Sequence, residues 1–97
     1  MSGRIILTID DSPSPGTPAL AEFLLTHDMP AVLFCRGDNL ELFPVQAQEA
    51  LARGFTLANH AYNHRRASVI SYEEMTAEIL ATEKLIDDVY KSMRRPR

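Results

Sequence analysis

The chain has 97 residues, 45% of them hydrophobic and 24% charged, with a formal net charge of −3. That length holds one domain, residues 1–97, which on folding hides about 65% of the surface its unfolded form exposes, and the composition is that of a globular protein rather than of a disordered chain or a membrane span. The negative balance argues against a nucleic-acid surface, which needs a clustered basic face, and the one basic cluster is Arg94, Arg95 and Arg97.

Met1 to Ile5 leads into an apolar run that stops at Asp10, too short for a signal-peptide core with a cleavage site, so the expectation is a cytoplasmic protein with no membrane partner. The consecutive Ile5, Ile6 and Leu7 give residues 4–9 the look of a strand covered on both faces. Pro13 to Gly16 reads as a loop, Thr17-Pro18 as an N-cap followed by proline at the first helical position, and the helix runs to about His27. Its Leu20, Phe23 and Leu24 fall three and four apart and predict one buried stripe. Ala31 to Cys35 is a second, wholly apolar strand, in which the single cysteine reads as a small buried hydrophobe rather than a catalytic thiol.

Gly37-Asp38-Asn39 reads as the turn after that strand. A helix over residues 44–53 stops at Gly54, whose missing side chain suits the left-handed residue after a helix, and Phe55 to Ala58 forms a third strand. Ser71-Tyr72-Glu73-Glu74 has the capping-box spacing, and Met75, Ile79, Ile86, Val89 and Met93 continue it as a long amphipathic helix. Strands alternating with helices predict an α/β fold of parallel units with right-handed crossovers.

The chemistry lies at two strand ends, Thr8-Ile9-Asp10-Asp11-Ser12-Pro13 and Asn59-His60-Ala61-Tyr62-Asn63-His64. In extended backbone the adjacent Asp10 and Asp11 point to opposite sides, so one can bind a metal while the other stays free. Standing alone, Asp-Asp-Ser-Pro is more simply a turn. His60 and His64 are four apart, and one helical turn would bring them to one face, about 5–6 Å apart at the β-carbons. Two histidines and one aspartate leave open positions on a divalent metal, which suits catalysis rather than a closed structural site.

These residues resemble the polysaccharide deacetylases, the NodB-homology or carbohydrate esterase family 4 domain, over essentially the whole chain. The family's Thr-Phe-Asp-Asp-Gly-Pro appears as Thr8 to Pro13, its His-(Ser/Thr)-x-x-His as His60 to His64 after Gly54-Phe55-Thr56-Leu57-Ala58-Asn59, and its Ala-Thr-Phe-Phe strand as Ala31-Val32-Leu33-Phe34. The resemblance implies the N-terminal portion of a distorted (β/α) TIM-like barrel of NodB type, with its site at the carboxyl ends of the strands. It also implies Asp10 as general base and Asp11, His60 and His64 as ligands of a divalent metal. Zinc is the first expectation, and cobalt, nickel or manganese fit the same donors. The implied reaction is hydrolysis of a carbon–nitrogen amide bond, releasing acetate from an N-acetylated amino sugar or a related small amide.

Departures from the family pattern are Ser12 for glycine, Ala61 for the hydroxyl residue between the histidines, and Arg65 for proline. Of the family's later motifs, Arg-x-Pro-Tyr has only a weak likeness in Arg94-Arg95-Pro96-Arg97, and the Leu-x-His general acid has no counterpart in the 97 residues. An alternative expectation is therefore a catalytically inactive, metal-binding half-barrel that acts as an interaction module. An open three-stranded sheet also has bare edges, which predicts a homo-oligomer or completion by another chain segment. A plain α/β domain without metal is the remaining reading, and two motifs in order around a matching strand weigh against it.

Overall fold

The computed structural model describes residues 7–62 and 71–97. Its elements in chain order are β1 (Leu7–Ser12), α1 (Thr17–Thr26), β2 (Ala31–Cys35), α2 (Gly37–Leu42), α3 (Pro44–Ala52), β3 (Thr56–Asn59) and α4 (Tyr72–Ser92). The three strands pair in parallel, in sequence order. Ser12 lies opposite Cys35, and Cys35 opposite Asn59, so all three strands run out at one level and their following loops share one end of the sheet.

The core is built where the helices meet β2 and β3. Ala31, Leu33 and Cys35 of β2 and Leu57 of β3 are buried against Leu24, Leu40, Ala47, Ala50 and Leu51 from the first three helices and Ile86, Val89 and Tyr90 of α4. The expected three-stranded parallel arrangement, the buried cysteine and the capping box are all present. Ser71 Oγ accepts the Glu74 N–H at 3.1 Å while the Glu74 carboxylate accepts the Ser71 N–H, satisfying two otherwise open donors at the start of α4. Gly54 follows α3 at φ +93°, and a Cβ there would meet nothing within 4 Å, so its backbone angle rather than crowding requires glycine. None of the described helices is long and apolar enough to cross a membrane.

Several expectations are corrected. The buried stripe of α1 is Thr17, Ala21 and Leu24, while Leu20 and Phe23 are 39% and 55% exposed. The reason is geometric: α1 packs along the side facing α3, and the Phe23 ring lies outside it against the His27 ring, 4.2 Å between centroids. Gly16, not Thr17, is the N-cap of α1, and Thr17 Oγ1 instead accepts the Ser14 N–H at 2.8 Å, closing the loop before the helix. Residues 37–39 are not a free turn but the first turn of α2. β1 is not covered on both faces, since Thr8 and Asp10 are exposed, and β3 begins one residue later than expected, at Thr56. On α4, Ile79 is 40% exposed, and the buried stripe is Thr82, Ile86, Val89 and Tyr90.

Candidate functional site

β1 does not end at the aspartates; it carries them. Its register with β2 breaks between Ile9 and Ser12, and within that break Asp11 takes the left-handed backbone conformation, φ 63°. Asp tolerates this region better than most residues, but it persists only where the surroundings hold it. The two side chains are thereby separated by a bulge rather than by simple strand alternation. Asp10 stands exposed and Asp11 half-buried. The Ser12–Pro13 peptide that follows is cis.

The second segment, described as far as Tyr62, leaves β3 in a turn. The His60 N–H donates to Cys35 O at 2.8 Å, extending the β3–β2 ladder by one bond. Asn59 Oδ1 then accepts the Ala61 N–H at 2.8 Å, a tight side-chain-to-backbone turn that places Ala61 at φ 58°. The same Asn59 donates from Nδ2 to Ile79 O at 2.8 Å and to Glu83 Oε1 at 3.0 Å, so the turn is tied to α4. Glu83 is in turn held by Arg97, whose guanidinium lies 2.6 Å from its Oε2 and keeps its carboxyl below the usual range. Among the basic residues singled out at the end of the chain, Arg97 therefore acts on the histidine turn through Glu83 of α4.

The two turns meet. Asp11 Oδ1 and His60 Nε2 are 3.4 Å apart. Two donors each about 2.1 Å from a tetrahedral ion stand about 3.4 Å from one another, so this pair has the spacing that two ligands of one cation require. Arg36 Nη1 is 3.9 Å from the same Asp11 oxygen, and that guanidinium is held by Asp38 through Nε–Oδ1 at 3.1 Å and Nη2–Oδ2 at 2.6 Å. His64, the third expected ligand, lies outside the described residues. Among the described residues no group of three or more His, Cys, Asp or Glu is placed to hold a metal, and Asp11 with His60 is the part of the expected set that they contain. Asp10, the expected base, is on the neighbouring position of β1.

The start of α2 joins both turns, a role that sequence reasoning missed by treating residues 37–39 as a connector. The Arg36 N–H donates to Ser12 O and the Gly37 and Asp38 N–H groups donate to Ala61 O and Tyr62 O, each at 2.9 Å, while Asn39 Nδ2 donates to Asp11 O at 3.0 Å. Gly37 is packed so closely that a Cβ would lie 2.5 Å from Thr82 Oγ1 and 2.6 Å from Tyr62 Cδ1. The available signal was the burial spacing: Gly37 and Leu40 fall three apart and form the inner face of a short helix. Nearby, the Tyr62 hydroxyl donates to Glu41, whose carboxylate pushes the phenol's pKa up. A cleft of about 680 Å³, lined by Met29, Pro30, Arg53 and Phe55 among others, is at the opposite end of the strands and plays no part in this arrangement.

Parallel strands joined by helices, with polar side chains collected at their carboxyl ends, are the layout of a site-bearing α/β fold, open sheet or barrel. The family model of the polysaccharide deacetylases matches residues 2–96, and the chain belongs to that family. A peptidoglycan-N-acetylglucosamine deacetylase from Bacillus cereus is 30% identical over 85 residues, which cover 87% of this chain and 31% of that protein. A chitooligosaccharide deacetylase from Rhizobium leguminosarum bv. trifolii is 31% identical over 84 residues, 86% of this chain and 39% of the relative. The family 4 carbohydrate esterase from Streptomyces lividans, solved in complex with acetate, superposes with a TM-score of 0.84 at 29% identity, covering 90% of this chain and 45% of that one. The chain thus spans less than half the length of these relatives, and its fold is the corresponding part of the NodB-type deacetylase barrel.

Proposed function

We propose that this chain carries the metal-binding and base-bearing part of a hydrolase that cleaves carbon–nitrogen amide bonds, removing acetyl groups from N-acetylated amino sugars. The observation that carries this reading is the 3.4 Å approach of Asp11 Oδ1 to His60 Nε2 at the carboxyl ends of parallel strands, one residue from Asp10. Asp11, His60 and, from the sequence pattern, His64 would hold a divalent cation, with zinc the best match to one carboxylate and two imidazoles. When bound, such a cation polarises an acyl oxygen and makes water more acidic.

The remaining work belongs to this chain's own side chains. Asp10 is exposed at the mouth of the strand ends, where its carboxylate oxygen can take the proton of an attacking water. Its separation from Asp11 by the β1 bulge allows one carboxylate to accept protons while its neighbour is committed to a ligand's position. Loss of the acyl carbon–nitrogen bond releases acetate and a free amine. The deacetylases of peptidoglycan and chitooligosaccharide among the relatives support an N-acetylated carbohydrate as substrate.

Acetate release from N-acetylated chitooligosaccharide, measured together with bound metal, tests the reading. Asp10→Asn is expected to lower turnover by about 10²–10⁴-fold while metal stoichiometry stays at the wild-type level. Asp11→Asn is expected to lose both. A wild-type chain that binds metal and releases no acetate would instead identify an inactive metal-binding module.

A further inference from the structure

We propose that Asn39 is a positioning residue for the metal site: through its side chain it holds Asp11 in the left-handed conformation that turns the carboxylate toward His60. This rests on reading Asp11 and His60 as metal ligands. Three observations on separate elements carry it.

First, Asp11 lies inside the break in β1–β2 register, at φ 63°, where the regular ladder does not fix its peptide. The Asn39 carboxamide supplies a fixed point instead, Nδ2 donating to Asp11 O at 3.0 Å across 28 residues of sequence. Second, Asn39 is itself anchored. It lies in α2, its own N–H donates to Asp38 Oδ1 at 2.8 Å, and Asp38 is clamped by the Arg36 guanidinium. Third, the same short helix holds the other partner, because Gly37 and Asp38 donate to the carbonyls of Ala61 and Tyr62, the two residues after His60. One rigid corner therefore spans both ligand-bearing turns, and Asn39 is its arm to Asp11. Without that arm the Asp11 peptide is free to return toward extended backbone, which swings the carboxylate away from the imidazole.

Outer groups that orient metal ligands typically change affinity by about 10–100-fold when removed. The experiment measures Zn²⁺ affinity by chelator competition and the visible absorption of the Co²⁺-loaded protein, with the melting midpoint of the metal-free chain alongside. The proteins are the full 97-residue chain and its Asn39→Ala, Asn39→Asp and Asp11→Asn variants. Asn39→Ala removes the donor while favouring the helix, since alanine has the higher helical propensity. Asn39→Asp keeps the shape without the N–H donor.

Both Asn39 variants are expected to bind Zn²⁺ about 10–100-fold more weakly and to change the Co²⁺ absorption envelope, with the metal-free melting midpoint retained. A purely structural residue would shift the midpoint and leave the Co²⁺ envelope of the folded fraction unchanged, and that outcome would overturn the proposal. So would wild-type affinity in Asn39→Asp, even if Asn39→Ala failed to fold. A wild-type chain that takes up no Zn²⁺, or an Asp11→Asn variant that binds as tightly as wild type, would overturn the ligand reading itself. Weakened binding in Asp11→Asn with unchanged binding in both Asn39 variants would overturn the role of Asn39 alone.

Discussion

The main-chain N–H of Leu57 donates to the phenolic oxygen of Tyr90 at 3.0 Å, so β3 is bonded on one side to β2 and on the other to a side chain of α4. Both groups are buried. An edge strand ordinarily leaves such donors to water or to another chain. Here α4 closes part of that edge, so the helix after the histidine segment stabilises the strand before it.

Replacing Tyr90 by phenylalanine keeps the ring and leaves the Leu57 N–H buried without its acceptor. The expected cost is about 1–3 kcal/mol, the penalty for one unsatisfied buried donor. Urea denaturation of the two proteins measures it, with the slope unchanged and the midpoint lowered. Equal midpoints would show that the hydroxyl is dispensable.

The approach of α2 to α4 makes a second prediction. In Gly37→Ala the new methyl would meet Thr82 Oγ1 at 2.5 Å and Tyr62 Cδ1 at 2.6 Å, with Tyr62 Cα at 3.2 Å. Thr82 is fully buried, and its hydroxyl has no hydrogen-bond partner among the described residues. Overpacking of this kind costs about 1–3 kcal/mol. Adding Thr82→Ala to Gly37→Ala should restore part of the loss, so that the double variant is more stable than the sum of the single effects. A loss in Gly37→Ala within about 0.5 kcal/mol, the range of ordinary surface changes, would mean that the corner has room to relax.

Local signals made much of this fold readable in advance. The apolar run Ala31 to Cys35, the Gly54 stop and the Ser71–Glu74 capping box each depend on residues close in sequence, and each is present. What escaped depends on distant partners. Phe23 and Leu20 have helical spacing suited to burial, yet the contact surface of α1 is set by α3 and lies one row over. The site divides the same way. The resemblance to the deacetylase motifs implied Asp11 and His60, which the fold brings together, and His64, which is outside the described residues. Nothing local indicated that Asn39 would reach Asp11 from 28 residues away or that Asn59 would bind α4, because those bonds exist only once the strands are in register.

The buried thiol gives a pH-dependent prediction. Cys35 is at 0% exposure at the carboxyl end of the central strand, and burial pushes it from 9.0 up to about 12, against a smaller lowering by the Ala58 backbone. Between those values the unfolded chain has released the proton while the folded chain keeps it, so the folded state binds more protons and stability falls as pH rises. The contribution is fully present below about pH 9 and is lost progressively toward pH 12, at a slope of about 1.4 kcal/mol per pH unit. Cys35→Ala removes this slope while retaining the tyrosine and lysine titrations, so the difference between the two pH–stability curves isolates the thiol. The curves should converge as pH rises from 9, and native Cys35 should resist alkylation at pH 8 until denaturant exposes it. Curves that stay parallel across that range, or rapid labelling of the folded protein, would place the thiol in contact with water.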